Sequence, residues 1–134
     1  TDPAEMASIV VDASAVVRII EGAEAAAPFQ EAVLKADLVL APELMLTEVA
    51  NALWRLQRAG QLEVDGLQRR LSRAAELVDV IEPDRHLQAE ALALACHLDH
   101  PVVDCLYLAL ARREAAVLVT ADQRLQQLAA RVLP

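Results

Sequence analysis

Residues 8–12 read SIVVD and residues 116–122 read AVLVTAD. Each is a short apolar run, rich in β-branched side chains, that stops at or just before an aspartate. Runs of this length without polar alternation suit strands covered on both faces, as in a parallel sheet between helices. Strands are therefore expected at Ser8–Asp12 and Ala116–Val119, with Asp12 and Asp122 at their carboxyl ends. Ligands of open parallel sheets bind outside those ends, and two central strands would bring the two acids together.

The intervening chain alternates between helical and strand patterning. Ala13–Glu21 places Val16, Val17, Ile19 and Ile20 at helical spacing, and Gly22 supplies the stop. Glu24–Ala36 reads as a second helix with Pro28 near its start, and Leu38–Ala41 as a strand halted by Pro42. Helices follow at Glu43–Gly60 and Glu63–Leu77, then a strand at Val78–Ile81 and a helix at Arg85–Leu98 that His100-Pro101 breaks. Val103–Arg113 and Gln123–Ala130 complete the helices, and Arg131–Leu133 reads as a final edge strand. This order predicts an α/β sandwich with a mostly parallel central sheet.

A length of 134 residues suits one domain spanning 1–134. Residues 1–6 read as a disordered lead-in or a vector-derived remnant. Hydrophobic residues make up 56% of the chain but aromatics only 2%, so Leu, Val, Ile and Ala must build the core. No apolar run approaches the roughly 20 residues of a membrane span, and the start of the chain lacks the basic and apolar regions of a signal peptide. A soluble, cytoplasmic protein is expected. Cys96 and Cys105 lie in apolar helical patterns without ligand spacing, which argues against zinc or disulfides and predicts two small core residues.

The formal net charge of −8 runs against direct binding of a polyanion. Divalent cations held by acids would bridge that repulsion. Two further acids are candidates for such a cluster. Glu48 lies in LMLTEVANAL with Asn51 one turn along, and Asp104 opens a helix in PVVDCLYLALA. Each acid alone has an ordinary role: Asp12 and Asp122 stand where helix N-caps belong, Asp104 favours a helix dipole, and Glu48 could sit in solvent. The apolar surroundings of Glu48 and Asp104 tell against the ordinary reading, because an unpaired buried carboxylate costs several kcal/mol. Four carboxylates in one place need a cation or raised pKa values. Hard oxygen ligands select Mg²⁺ or Mn²⁺. Such an ion acidifies water and stabilises a leaving oxygen, so phosphodiester cleavage needs neither a histidine base nor a serine nucleophile.

Taken together, VVDAS at 10–14, TEVANAL at 47–53, HPVVDCLYLALA at 100–111 and VTAD at 119–122 resemble the PIN-domain ribonucleases, most closely the VapC-type toxins of toxin–antitoxin pairs. The resemblance covers nearly the whole chain and implies a three-layer α/β/α sandwich and a Mg²⁺- or Mn²⁺-dependent endoribonuclease. It further implies a homodimer inhibited by a cognate antitoxin whose C-terminal segment lies over the active site. Asp12, Glu48 and Asp104 match the family's metal-ligating acids, and Asp122 a fourth that often reaches metal through water. Thr120 matches the hydroxyl near the attacking water, and Ser14 and Asn51 match residues that orient the acids. One departure is Val103, where relatives often carry Tyr.

Other residues compete for attention. His97 and His100 stand at a chelating spacing but lack a third ligand. Arg18, Arg112 and Arg113 are candidate RNA phosphate contacts, although helix-end arginines are usually solvated. Trp54 and Tyr107 suit core or a dimer interface better than base stacking. A phosphoryl-accepting receiver domain would need a lysine past a late strand, whereas the one lysine is Lys35. A haloacid-dehalogenase-like phosphatase would need an aspartate where Ser14 stands. A PIN-like fold that binds without cleaving is the remaining alternative.

Overall fold

The computed structural model describes residues 7–134; the expected lead-in at 1–6 lies outside the described residues. Four strands, β1 (Ser8–Val11), β2 (Leu38–Pro42), β3 (Val80–Glu82) and β4 (Val117–Val119), form one sheet in the order β3-β2-β1-β4. Every pairing is parallel, with Val10 aligned to Leu40 on one side and to Leu118 on the other. The chain steps from β1 outward to β3, then returns to place β4 on the far side of β1. Strand order therefore reverses between β1 and β4, which opens a crevice above their carboxyl ends.

Among the described residues six α-helices connect the strands, α1 (Ala13–Glu21), α2 (Ala27–Lys35), α3 (Leu44–Arg58), α4 (Leu67–Glu76), α5 (Gln88–Leu98) and α6 (Val102–Arg113), and α7 (Gln123–Val132) follows β4. Helices α1 to α4 pack on one another, while α6 lies on the sheet with α5 and α7 beside it. This is the α/β/α sandwich expected from the pattern. Seven consecutive residues of α6, Cys105 to Ala111, are buried, so the middle of the helix is enclosed on all sides while Val103, Arg112 and Arg113 at its ends are exposed. Tyr107 is 1% exposed and is the one aromatic in the buried core among the described residues; aliphatic side chains fill most of the rest, together with Met45 and Cys105.

Three expectations are corrected. Helix α4 begins at Leu67 and not Glu63, because Gly66 with φ 91° turns the chain first. Arg131–Leu133 is not an edge strand: α7 continues to Val132, favoured by the helix-forming run of Ala129, Ala130 and Arg131. Cys96 is exposed, and only Cys105 is a core residue. Gly22 closes α1 with φ 70°, and its amide hydrogen-bonds to the Arg18 and Ile19 carbonyls. A Cβ there would meet nothing within 4 Å, so Gly22→Ala isolates backbone strain. It is expected to cost about 1 kcal/mol, read as a lower urea midpoint with an unchanged slope.

Candidate active site

Asp12 follows β1 directly, in extended backbone, and caps α1 by accepting the Ala15 amide on Oδ1 at 3.0 Å. The Ser14 hydroxyl donates to the same oxygen at 2.7 Å, and the Thr120 hydroxyl donates to Oδ2 at 2.5 Å. Both acid and threonine are buried, at 5% and 3% exposure. Burial raises the Asp12 pKa above the usual carboxylate range; the hydrogen bonds from Thr120, Ala15 and Ser14 oppose that rise, and Asp122 adds to it.

Thr120 and Ser14 tie β4 to the start of α1. Thr120 Oγ1 accepts the Asp122 amide at 3.0 Å, and Ser14 Oγ accepts the Ala121 amide at 2.9 Å. Asp122 caps α7 through Oδ1 to the Leu125 amide at 3.1 Å. The two carboxyl-end aspartates are thus caps and crevice residues at once. Capping leaves one face of each carboxylate free, so the ordinary role does not exclude the chemical one.

Glu48, one turn into α3, and Asp104, in the first turn of α6, complete the ring. A crevice of roughly 340 Å³ is lined by Asp12, Ser14, Glu48, Asp104, Tyr107 and Asp122, with Arg18 and Arg55 also on its wall. Tyr107 reaches across from α6 and donates its hydroxyl to Glu48 Oε1 at 2.5 Å. Burial and the neighbouring Glu48 push the phenol far above its ordinary pKa, so it stays a donor. Glu48 itself is raised, first by burial and then by the charges of Asp104, Asp12 and Asp84, against the Tyr107 hydrogen bond. His100 Nε2 lies 2.7 Å from Asp104 Oδ2.

The fixings leave a pattern of free acceptors. Glu48, Asp104 and Asp122 each use one oxygen and keep the other, while Asp12 Oδ2 keeps a lone pair beside its bond from Thr120. No lysine or arginine pairs with any of the four among the described residues. Nor do three acid, histidine or cysteine side chains there form a ready-made ligand set. An all-oxygen wall of single acceptors nevertheless fits a hard divalent cation, which keeps several waters and takes only one or two carboxylates directly.

Not every sequence candidate is here. Asn51 is exposed on α3 and does not line the crevice, whose wall it leaves to Ala52 and Arg55. Arg112 stands 3.9 Å from Glu90, and Arg113 binds Glu82 at 2.8 Å and approaches Glu114 at 3.5 Å. Trp54 is half exposed under the Arg58 guanidinium, 5.4 Å from its ring centroid. Conversely, the roles of Tyr107, His100 and Arg55 were not read from the sequence. Their spacing held the signal: Tyr107 is one turn after Asp104, His100 one turn before it, and Arg55 two turns after Glu48.

Fold and crevice together define a class of parallel α/β proteins that gather carboxylates where strand order reverses. A PIN domain family model matches residues 9–131. Ribonuclease VapC3 of Pyrobaculum aerophilum is 31% identical over 121 residues, covering 89% of this chain and 92% of that protein. The chain belongs to the PIN-domain family and to its VapC-type ribonucleases. Solved structures share the fold, and two of them illustrate it. The sarcin-ricin-loop-cleaving toxin VapC20 of Mycobacterium tuberculosis has a TM-score of 0.66 at 19% identity, over 89% of this chain and 93% of that one. VapBC2 of Rickettsia felis, solved with a promoter DNA fragment, has a TM-score of 0.62 at 13% identity, over 90% and 92%.

Proposed function

We propose that the chain is a Mg²⁺- or Mn²⁺-dependent endoribonuclease and the toxin of a type II toxin–antitoxin pair. The observation that carries the reading is the convergence of four carboxylates, from β1, α3, α6 and β4, on one crevice in a relative of a named ribonuclease. Asp12, Glu48 and Asp104 would hold the ion, with Asp122 acting through water. A divalent ion bound there supplies an acidified water and neutralises charge on the phosphate. Thr120 is buried behind the crevice wall and not part of its lining, so its hydroxyl serves by fixing the Asp12 carboxylate and not by touching the attacking water. Ser14 locks the same carboxylate from the other side, and Tyr107 holds Glu48. In hydrolysis the water oxygen bonds to phosphorus and gives up a proton to solvent, while the bond to the leaving ribose oxygen breaks and that oxygen takes up a proton from solvent.

The same reading implies a homodimer, a cytoplasmic setting and a cognate antitoxin covering the crevice. Similarity to the VapBC2 structure supports the partner. No helix among the described residues is long and apolar enough to cross a membrane.

The test is cleavage of end-labelled RNA with Mg²⁺, with Mn²⁺ and with EDTA. Cleavage is expected with either ion and is expected to fall to background when EDTA removes them, returning on adding excess metal. RNA left intact under all conditions while still bound would indicate a binding protein without catalysis.

A further inference from the structure

Arg18 and Arg55 line the same crevice as the acids, yet neither is in an ion pair among the described residues. The acids of the crevice take their partners elsewhere, Asp12 from Thr120 and Ser14, Glu48 from Tyr107, Asp104 from His100 and Asp122 from the start of α7, and their remaining acceptors are not paired with either arginine. Both guanidiniums are exposed and keep their donors for a ligand. By contrast, Arg113 is spent on Glu82 and Glu114.

Their placement gives the crevice a direction. Helices α1 and α3 follow adjacent parallel strands and pack against each other. Each carries its crevice anion or hydroxyl early and its arginine later: Ser14 then Arg18 on α1, Glu48 then Arg55 on α3. At 1.5 Å per residue, Arg55 lies about 10 Å further along its helix than Glu48. The crevice is therefore acidic at the sheet rim and basic further along the two helices.

We infer that Arg18 and Arg55 are phosphate arms that hold the RNA backbone on one side of the bond being cut. This rests on the ribonuclease reading. The arms clamp phosphates adjacent to the scissile one, reading charge and not base, and set the direction in which the strand crosses the site. They also answer the −8 net charge of the chain, by placing positive charge where a polyanion must enter.

The probe is a short fluorescein-labelled oligouridylate, bound to the Asp12→Asn protein so that it is not cut, with anisotropy read across a KCl series. In that background, Arg18→Gln and Arg55→Gln are each expected to weaken binding about tenfold at low salt. Each should also reduce the slope of log affinity against log salt by about 0.7. Arg55→Lys should restore the slope. Unchanged slopes in both glutamine variants, or no RNA binding by the Asp12→Asn protein at any salt, would overturn the arms. Cleavage by the wild-type protein is scored separately. Cleavage with unchanged slopes refutes the arms alone, and reduced slopes without cleavage refute the ribonuclease reading alone. Circular dichroism melts confirm that each variant is folded.

Discussion

Asp12→Asn is expected to lower RNA cleavage by at least about a hundredfold, because even outer groups that merely orient a metal ligand are worth 10–100-fold. The amide is nearly isosteric with the acid. It keeps an oxygen to accept the Ala15 amide and the Ser14 hydroxyl, so the cap on α1 survives. Its NH₂ group replaces Oδ2, cannot accept from Thr120 and cannot ligate a cation. Removing a buried charge offsets much of the lost hydrogen bond, so the melting temperature should shift little. Asp12→Ala would lose the cap as well, at about 1 kcal/mol. Single-turnover cleavage and thermal melts of the three proteins separate the two roles. Equal cleavage by Asp12→Asn and wild type would mean that the activity comes from elsewhere.

Glu48→Gln should move activity and stability in opposite directions. Burial and nearby carboxylates make the folded protein hold the Glu48 proton more tightly than the unfolded chain does. The neutral carboxyl therefore favours folding below the ordinary carboxylate pKa, and that contribution fades as pH rises through the elevated folded value. At pH 7 without metal the charged side chain burdens the fold. Gln removes the charge and keeps an oxygen for the Tyr107 hydroxyl. In EDTA at pH 7 the variant should melt about 2–4 °C higher than wild type, and the gap should close near pH 4. Saturating Mn²⁺ should reverse the order, because only the wild type retains the full ligand set and is stabilised by binding. Cleavage should fall by about a hundredfold or more. A variant less stable than wild type in EDTA would show that the Glu48 charge does not strain the fold.

The sheet and the two rim aspartates were legible because local signals agreed there: β-branched runs, a breaker or cap after each, and helical spacing next. Glu48 and Asp104 were legible from their apolar neighbours, which leave a carboxylate few ordinary explanations. What escaped depended on contacts between elements. Tyr107 stands one turn after Asp104, which places it near the crevice, but its neighbours on α6 are apolar and local sequence does not show that its hydroxyl meets Glu48, 59 positions earlier. His100 was weighed against His97 at the right spacing on the wrong side; α5 ends at Leu98, and the histidine turns to Asp104 instead. Asn51 shares a helix with Glu48, but the packing of α1 on α3 decides which residues face the crevice, and that surface belongs to Ala52 and Arg55.

Among the described strands β4 is the last in sequence, yet it lies next to β1 and leads directly into Thr120, whose hydroxyl fixes Asp12. On the ribosome, where synthesis and folding run from the amino terminus, the carboxylate made first stays unfixed until β4 has emerged to hold it, so the centre is completed late and not strand by strand.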